Sequence, residues 1–426
     1  MIIHYQIRFV KCNSLTKDVF AFIMYMYICI CSKKLIKDYE MIKIFPSRPE
    51  GRLTPPSSDK SLLSLLVLAC LSDAPCKIRY KGLSDSVSCA IFALEKAGAV
   101  IRIDSEYLNV TPPKGFPGSL HISFRDSKSA LTYLLPTLKA FITELELDSS
   151  EKLSLENMSS LFGELEKGGC KSNGVFLPAS ITGKLERGII LDTSDTDISD
   201  AFLLSLAATD NALGGLGFSA DTLNALNEFG LSADSENGIT RLSGTVHAPC
   251  EAQALGDTFY TAFFSCACDS LESSVELPRK MRPLFITKKE NSNYIHIPKL
   301  REFSINVKPS DEEFLPCLLL ALRTRGKCVF ENYRANATFH NRLIQFLRDL
   351  EVEYSVKNGL LSITSEGLVK GKKIRGCKDG RFVVLSCLAA CHSKDGVEID
   401  SISPVLEMYP TFFSDAVELG MKETKL

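Results

Sequence analysis

The feature that most constrains the fold of this chain is a long-period repeat of apolar segments. Six apolar runs of helical length recur at intervals of roughly 50–70 residues, a spacing typical of repeated supersecondary units. They begin near Leu62, Leu131, Phe202, Leu255, Phe314 and Val383. Because a helix that is apolar on all sides has to be buried, these runs predict helices inside the protein.

Amphipathic segments with a shared ending lie between the apolar runs. Three of them end in glycine, namely Leu94–Gly98, Leu165–Gly169 and Leu226–Gly230, and Leu347–Glu351 is a weaker fourth copy. Glycine commonly ends a helix because it adopts a left-handed conformation at low cost. Short β-rich segments such as Ala99–Ile103 follow. The pattern predicts an α/β protein with buried helices inside and sheets outside, against the alternative of a generic α/β protein in which leucine-rich helices recur by chance.

Bulk properties exclude several classes of protein. A length of 426 residues suits two or three domains, and a net charge of −2 predicts neither a nucleic-acid partner nor a membrane partner. The fifteen cysteines include no Cys-x-x-Cys pair, and several lie in apolar runs, so reduced thiols in a cytosol-like compartment are favoured over disulfides or zinc. The six histidines lack metal-ligand spacing, which disfavours a metal enzyme.

The first forty residues differ from the rest of the chain. Val19–Cys31 is apolar and uncharged, but it is shorter than the roughly 20 residues that a membrane span needs. It also lacks a small-residue cleavage site of the kind that follows a secretory signal. We interpret residues 1–40 as an upstream extension of doubtful status and expect the first strand to begin at Met41.

Four motifs stand at the starts of apolar runs. They are Pro56–Ser61 (Pro-Ser-Ser-Asp-Lys-Ser), Cys250–Leu255, Ser310–Asp311 with Asn341–Arg342 downstream, and Asp379-Gly380-Arg381 leading to Tyr409-Pro-Thr-Phe-Phe413. In this order they resemble the signatures of the 5-enolpyruvylshikimate-3-phosphate (EPSP) synthases, which are enolpyruvyl transferases. The matches extend from Met41 to Gly420, which is nearly the whole chain beyond the extension.

This resemblance implies a fold. The enolpyruvyl transferase fold is a two-domain inside-out α/β barrel of six βαβαββ repeats, with a two-stranded hinge and a ligand cleft between the domains. It predicts one discontinuous domain of residues 41–58 with 247–426 and a second domain of residues 59–246. Helix N-termini converge on such a cleft, and their positive ends suit anionic ligands.

The resemblance also implies an activity and a set of site residues. EPSP synthases of the shikimate pathway transfer enolpyruvyl from phosphoenolpyruvate to the 5-hydroxyl of shikimate 3-phosphate, without a metal or an organic cofactor. The matching positions imply a catalytic base at Asp311 and substrate-binding residues at Lys60, Ser61, Ser199, Arg342 and Arg381. We expect a cytoplasmic monomer whose partners are these two small anionic substrates. Taken singly, Lys60 or Arg342 could be a solvated surface charge, and Asp311 could cap the helix that follows it.

Several positions depart from the family pattern, and most of them lose a cation. Leu65, Thr132, Glu156 and Glu407 stand where the family has Arg or Lys, Asp200 replaces Gln, Thr338-Phe339 replaces Lys-Glu, Gly380 replaces His, and Asp126–Lys128 replaces Asn-Ala-Gly. These losses leave open a sister transferase with another acceptor, or a catalytically impaired homologue that keeps the fold for binding or assembly. A UDP-N-acetylglucosamine enolpyruvyl transferase is disfavoured because Cys170 lacks the matching loop. An RNA-cyclase relative is disfavoured because His392 lies in an apolar run.

Overall fold

The computed structural model describes residues 41–425 except for 187–188, 192–194, 210–211, 215–216, 269–273, 277–286, 289–293, 297–301 and 376–377. The predicted extension, residues 1–40, lies outside the described residues. Two separate hydrophobic cores divide the described chain into two lobes. Lobe 1 has the core that runs from Leu62 to Ala254, and lobe 2 has the core formed by Ile42–Leu53 together with Tyr260–Met421. In this part of the chain, no helix has the length and apolar character needed to cross a bilayer.

The elements follow one another in a regular order. From the start to the second crossing between lobes they are β1 (Ile42–Phe45), β2 (Arg52–Leu53), α1 (Asp59–Leu71), β3 (Cys76–Arg79), α2 (Asp85–Lys96), β4 (Val100–Ile103), β5 (Tyr107–Thr111), β6 (Ser119–Ser123), α3 (Lys128–Phe141), β7 (Glu144–Asp148), α4 (Glu151–Ser154), α5 (Ser159–Lys167), β8 (Lys171–Ser172), β9 (Ala179–Thr182), β10 (Ile189–Ile190), α6 (Thr196–Ser205), β11 (Leu213–Gly214), α7 (Ala220–Glu228), β12 (Leu231–Glu236), β13 (Ile239–Gly244) and β14 (Glu251–Gln253). After the crossing they are α8 (Thr258–Ala267), β15 (Ser274–Glu276), β16 (Thr287–Lys288), β17 (Tyr294–His296), β18 (Ser304–Asn306), α9 (Phe314–Arg323), β19 (Arg325–Glu331), α10 (Ala337–Asp349), β20 (Glu353–Lys357), β21 (Leu360–Glu366), β22 (Lys373–Ile374), α11 (Gly380–Cys391), β23 (Val397–Ile399), α12 (Ser403–Met408), α13 (Phe412–Glu418) and β24 (Lys422–Lys425).

Each lobe is organised around three helices that pack against one another and are buried along most of their length. They are α1, α3 and α6 in lobe 1, and α8, α9 and α11 in lobe 2. These six helices are the apolar runs identified in the sequence. Since such helices have no polar face to turn to water, they pack in the middle of each lobe and the sheets cover them.

The strands form six four-stranded sheets of one topology within the described residues. In the sheet β6-β7-β9-β8, the first two strands are parallel and both later pairings are antiparallel. Alternate residues are buried along strands such as β7, so one sheet face covers the helices and the other meets solvent. The predicted architecture of βαβαββ units with helices inside and sheets outside is confirmed.

The chain crosses between the lobes twice, and the two crossings lie side by side. Strand β2 pairs with β15 in lobe 2 before the chain enters lobe 1 through α1. Strand β14 pairs with β3 in lobe 1 before the chain returns through α8. A β-bridge joins Ser57 to Gly256, and the backbone N–H of Ser58 and of Asp257 donates across it to Leu255 and Pro56, each at 2.8 Å. This paired crossing is the two-stranded hinge that the resemblance implies. The predicted domain limits stay a prediction, and β14 lies in a lobe 1 sheet.

Helix ends follow the local sequence signals. Gly98, Gly169 and Gly230 follow α2, α5 and α7 with φ of +108°, +111° and +81°, a region that favours glycine. The fourth copy ends in Glu351, which takes φ of 53° after α10 without glycine's freedom.

A fully buried lysine closes the C-terminal end of α3. The Nζ of Lys139 donates to the carbonyls of Ile142, Thr143 and Ile181 at 2.9, 2.9 and 3.0 Å. Burial lowers the pKa of Lys139 because the ammonium loses its water. Two of these bonds stay at the end of α3 itself, and the bond to Ile181 ties this helix end to strand β9.

We predict that Lys139→Met lowers the free energy of unfolding by about 2–4 kcal/mol, because three carbonyls, two of them in buried residues, lose their donor. Urea denaturation of the purified protein measures the change. The matched control is Lys152→Met, which removes an exposed lysine and is expected to change stability by less than about 0.5 kcal/mol. Equal stability of the Lys139→Met and native proteins would contradict the structural role given to this lysine.

Candidate functional site

The candidate site lies where the hinge meets the N-terminal ends of the buried helices. Helices α1 and α8 begin directly after the two crossings, and α1 begins at Asp59-Lys60-Ser61. Ser61 is buried, and its hydroxyl oxygen accepts a 2.9 Å hydrogen bond from the backbone N–H of Leu255 in the other crossing segment. The structure therefore gives Ser61 a direct role in holding the hinge. Its role in substrate binding stays a prediction.

Two aspartates at the hinge, Asp59 and Asp257, have raised pKa values. Asp59 accepts from the hydroxyl of Ser84 at 2.8 Å, and Asp257 caps α8 by accepting from the Tyr260 N–H at 2.9 Å. Burial raises the pKa of Asp59 to about 6. Burial, together with the nearby carboxylates of Glu312 and Asp59, raises the pKa of Asp257 to about 7. Both carboxyl groups therefore hold a proton to a higher pH than an exposed aspartate does.

Lys60 is ion-paired inside lobe 1. Its Nζ lies 2.9 Å from Oδ1 of Asp197, in the first turn of α6. Burial acts to lower the pKa of Lys60, but the charges of Asp197, Glu312 and Asp200 outweigh it and raise the pKa overall. Lys60 therefore keeps its positive charge, and carboxylates surround it.

The N-terminal end of α6 uses its own side chains as partners. Asp195 caps the helix by accepting from the N–H groups of Asp197 and Ile198, and the Ser199 hydroxyl donates to the Asp195 carbonyl at 3.2 Å. Ser199, predicted from the resemblance to bind substrate, is buried. Asp200, which stands where the family has glutamine, is fully buried and accepts from the Tyr133 hydroxyl and the Ser219 N–H at 3.1 and 2.8 Å.

Two predicted arginines converge on one aspartate in lobe 2. Arg342 lies 2.7 Å from Oδ2 of Asp379, and Arg381 contacts both carboxylate oxygens, at 3.1 and 3.3 Å. Asp379 caps α11, and the guanidinium of Arg342 lies 5.7 Å from the ring centre of Phe382. The structure brings Arg342 and Arg381 together at the tip of a buried helix, as an anion site requires.

Aromatic packing replaces the charge pair that the family has near these arginines. Phe339, at a position where the family has an acidic residue, packs edge to face on Phe314 and Phe382, with ring centres 5.7 and 5.6 Å apart. Gly380 fills the histidine position. A Cβ built on it would lie 2.5 Å from the Pro404 carbonyl oxygen and 2.6 Å from the Met408 sulfur. Helix α12 therefore occupies the space that a larger residue at position 380 needs.

Asp311 and its neighbour Glu312 point to different partners. Asp311 is exposed and accepts from the backbone N–H of Lys308 at 2.8 Å, so it closes the turn before α9 without capping that helix. Glu312 accepts from the Thr258 hydroxyl at 3.0 Å and acts electrostatically on Lys60 and Asp257. Sequence reasoning missed Glu312, although its place beside Asp311 in the same turn is a usable signal.

Lys128, beside the altered turn of lobe 1, is also paired with a carboxylate. Its Nζ lies 3.7 Å from Oε2 of Glu156, the residue that stands in place of an arginine. Leu65, another such position, is fully buried in α1 and has no access to a ligand. Lys128 therefore offsets Glu156 rather than adding a free cation to this part of the site.

A second contact joins the lobes beside the hinge. Lys81, which follows β3, lies 3.2 Å from Oδ2 of the buried Asp415 in α13 and also donates to the Thr54 carbonyl. Tyr409 and Thr411 donate their hydroxyls to the same carboxylate. The Tyr-Pro-Thr-Phe-Phe motif thus supplies two hydroxyl donors to the carboxylate of an interlobe ion pair, which no sequence pattern had indicated.

Two residues considered for other chemistries are unsuited to them. Cys170 is buried, and burial raises the pKa of its thiol to about 11, so it does not resemble an exposed acid on a loop. His392 is buried at the end of α11. In the described part of the chain, no group of three or more His, Cys, Asp or Glu side chains is arranged to hold a metal.

The chain is similar to enolpyruvyl transferases in sequence and in structure. No family model matches it. It is 26% identical over 155 residues to the 3-phosphoshikimate 1-carboxyvinyltransferase of Saccharolobus solfataricus and 26% identical over 145 residues to that of Saccharolobus islandicus. These matches span 36% and 34% of this chain and the same shares of the two relatives. The chain therefore matches about a third of the length of these curated relatives.

The structural similarity covers far more of the chain. EPSP synthase from Acinetobacter baumannii superposes with a TM-score of 0.74 at 15% identity, over 90% of this chain and 99% of that one. The enolpyruvyl transferase NikO from Streptomyces tendae superposes with a TM-score of 0.68 at 17% identity, over 90% and 98%. The two-lobed inside-out α/β architecture is therefore shared along nearly the full length of both proteins.

We predict that Asp257→Asn flattens the pH dependence of stability. The folded carboxyl keeps a proton up to about pH 7, whereas the unfolded one ionises near its ordinary value, so native stability falls as pH rises from that ordinary value to about 7 and levels off above it. Asparagine cannot ionise but still accepts from the Tyr260 N–H, and the slope is expected to shrink by up to about 1.4 kcal/mol per pH unit.

Urea denaturation from pH 5 to pH 8 measures this slope. Asp234→Asn, which removes an exposed carboxylate on β12, is the matched control and is expected to leave the slope unchanged. If Asp257→Asn kept the native slope, the hinge carboxyl would not carry the titration.

Proposed function

We propose that this chain, a diverged relative of EPSP synthase with the enolpyruvyl transferase fold, transfers enolpyruvyl from phosphoenolpyruvate to the 5-hydroxyl of shikimate 3-phosphate. The observation that carries the proposal is the convergence of Arg342 and Arg381 on the tip of helix α11. Two planar guanidinium groups beside a helix N-terminus form a site suited to a ligand with a carboxylate and a phosphate. That the protein is a cytoplasmic monomer stays a prediction from the sequence.

The reaction has four requirements that the protein has to meet. The acceptor hydroxyl loses a proton and attacks C2 of phosphoenolpyruvate, while C3 gains a proton. The tetrahedral adduct then loses phosphate and a proton from C3, which leaves the enol ether. The protein has to hold two anions together, supply a base and an acid, and exclude water. No step needs a redox centre.

The described residues divide these tasks between the lobes. Arg342 and Arg381 lie in lobe 2 and would hold the phosphoenolpyruvate anion. Lys60, at the tip of α1 in lobe 1, is the cation on the other side of the hinge. Asp311 is the base expected from the resemblance, and Glu312 in the same turn is the carboxylate that acts on Lys60. The geometry therefore supports Glu312 as a second candidate for the base.

Ligand binding has to compete with the pairs already present. Lys60, Arg342 and Arg381 each contact an aspartate. Arg342 and Arg381 retain donors beyond those used by Asp379, since a guanidinium has five N–H groups. The lobe 2 half of the site is therefore ready for a second anion, whereas the lobe 1 half has its lysine engaged.

The test is release of inorganic phosphate in a coupled assay with both substrates. We expect release only when phosphoenolpyruvate and shikimate 3-phosphate are both present. Arg381→Gln is expected to lower kcat/KM about 100-fold or more, because a planar fork on the ligand is lost. Arg241→Gln, at an exposed position of strand β13, is the control for a lost arginine and is expected to keep full activity. Absence of release, together with no calorimetric signal for either ligand, would refute the activity and support a non-catalytic homologue.

A pair of neighbouring variants separates the two candidate bases. Asp311→Asn and Glu312→Gln each remove one carboxylate from the same turn. Since Glu312 acts on Lys60 and Asp311 closes a turn, we expect Glu312→Gln to lower kcat by a larger factor, about 100-fold or more. A larger loss in Asp311→Asn would return the role to the residue predicted from the sequence.

A further inference from the structure

The ion pair between Lys60 and Asp197 joins two helix tips of lobe 1. Lys60 lies in the first turn of α1 and Asp197 in the first turn of α6, and the Nζ–Oδ1 distance is 2.9 Å. Each side chain is 36% exposed, so the pair is in contact with solvent. Exposed pairs of this kind contribute little to stability, and a ligand from solution can reach both partners.

The neighbourhood of this pair disfavours a second anion. Glu312 and Asp200 add negative charge around Lys60. The N–H groups of Asp197 and Ile198 are taken by Asp195, and the hydroxyl of Ser199 bonds within the helix. Carboxylates of the chain itself therefore occupy the N-terminal end of α6. Without them, an anionic ligand would find hydrogen-bond donors there.

We propose that Asp197 is a resident anion that competes with phosphoenolpyruvate for Lys60 and thereby sets how weakly the cleft binds anionic ligands. This inference rests on the proposed function only for the name of the ligand. Within the described residues, Lys60 is the only ion-pair partner of the Asp197 carboxylate. Asp379 differs because it contacts two arginines at once and caps α11, so its carboxylate also orients them.

The mechanism of competition is direct. When a ligand anion approaches Lys60, the carboxylate of Asp197 either leaves the ammonium or stays beside the ligand. The first outcome loses an ion pair, and the second places two negative charges within a few ångströms of each other. Both outcomes weaken binding, and both disappear when position 197 carries no charge.

The test is calorimetric titration of the full-length protein with phosphoenolpyruvate and, separately, with inorganic phosphate. We expect Asp197→Asn to lower the Kd for phosphoenolpyruvate about tenfold or more. Asp197→Glu keeps the charge and is expected to keep the native Kd. Asp85→Asn removes an acid from the first turn of α2, as the matched control, and is also expected to keep the native Kd.

A double-mutant cycle links the effect to Lys60. In a Lys60→Met background, Asp197→Asn is expected to bring no gain in affinity, because the cation that binds the ligand is gone. In the coupled assay, Asp197→Asn is expected to lower the KM for phosphoenolpyruvate and to leave kcat unchanged. A Kd unchanged by Asp197→Asn in a folded protein, or an equal gain in the Lys60→Met background, would overturn the proposal.

The two proposals fail separately. If no variant releases phosphate from the two substrates but Asp197→Asn still tightens binding of phosphoenolpyruvate and of inorganic phosphate, Asp197 is a resident anion and the proposed function is wrong. If the native protein turns over and Asp197→Asn changes neither Kd nor KM, the proposed function stands and the role of Asp197 is wrong.

Discussion

The structure depends on the burial of three apolar helices in each lobe. Because α1, α3 and α6 have almost no polar surface, sheets have to cover them, and the amphipathic helices pack with one face only. A helix buried in this way has few places to end in contact with water. The tips of α1 and α8 lie at the hinge, where the chain crosses twice between lobes. The concentration of charged residues there follows from this packing, since unpaired N–H groups at a helix tip need partners.

Charged side chains from both lobes interact at this junction. Asp59 and Asp257 belong to different crossing segments, and Glu312 belongs to neither, yet the charges of Asp59 and Glu312 both help to raise the pKa of Asp257. Lys60 and Lys81, the lysines beside the hinge, are ion-paired with two other carboxylates, Asp197 and Asp415. A fold whose family binds anionic acids thus has, in this chain, a hinge rich in acids. Lys60, Arg342 and Arg381, the cations that we propose to bind ligands, each contact an aspartate.

Part of the candidate site was readable from the sequence. Arg342 and Arg381 were identified from the family resemblance, and the structure brings both to one carboxylate, that of Asp379. Glu312 was missed because the resemblance favours the first acid of the pair, and only the turn geometry shows that Asp311 is bound to the backbone of Lys308. The ion-pair partners of Lys60 and Lys81 could not be predicted from the sequence. Asp197 and Asp415 are distant in the chain, and no sequence pattern distinguishes them from the other acidic residues.

The sequence by itself determined the architecture, because six apolar runs at a regular spacing admit few arrangements other than buried helices under outward sheets. The glycines that end three outer helices mark where the last two strands of a repeat follow. That information is local, because hydrophobic period and backbone freedom act over a few residues. Only the tertiary structure decided which charges meet. It paired Lys60 with Asp197, brought two arginines to Asp379 and placed Asp257 beside Asp59. Ion pairing depends on distances of a few ångströms between distant segments, and a one-dimensional pattern does not contain those distances.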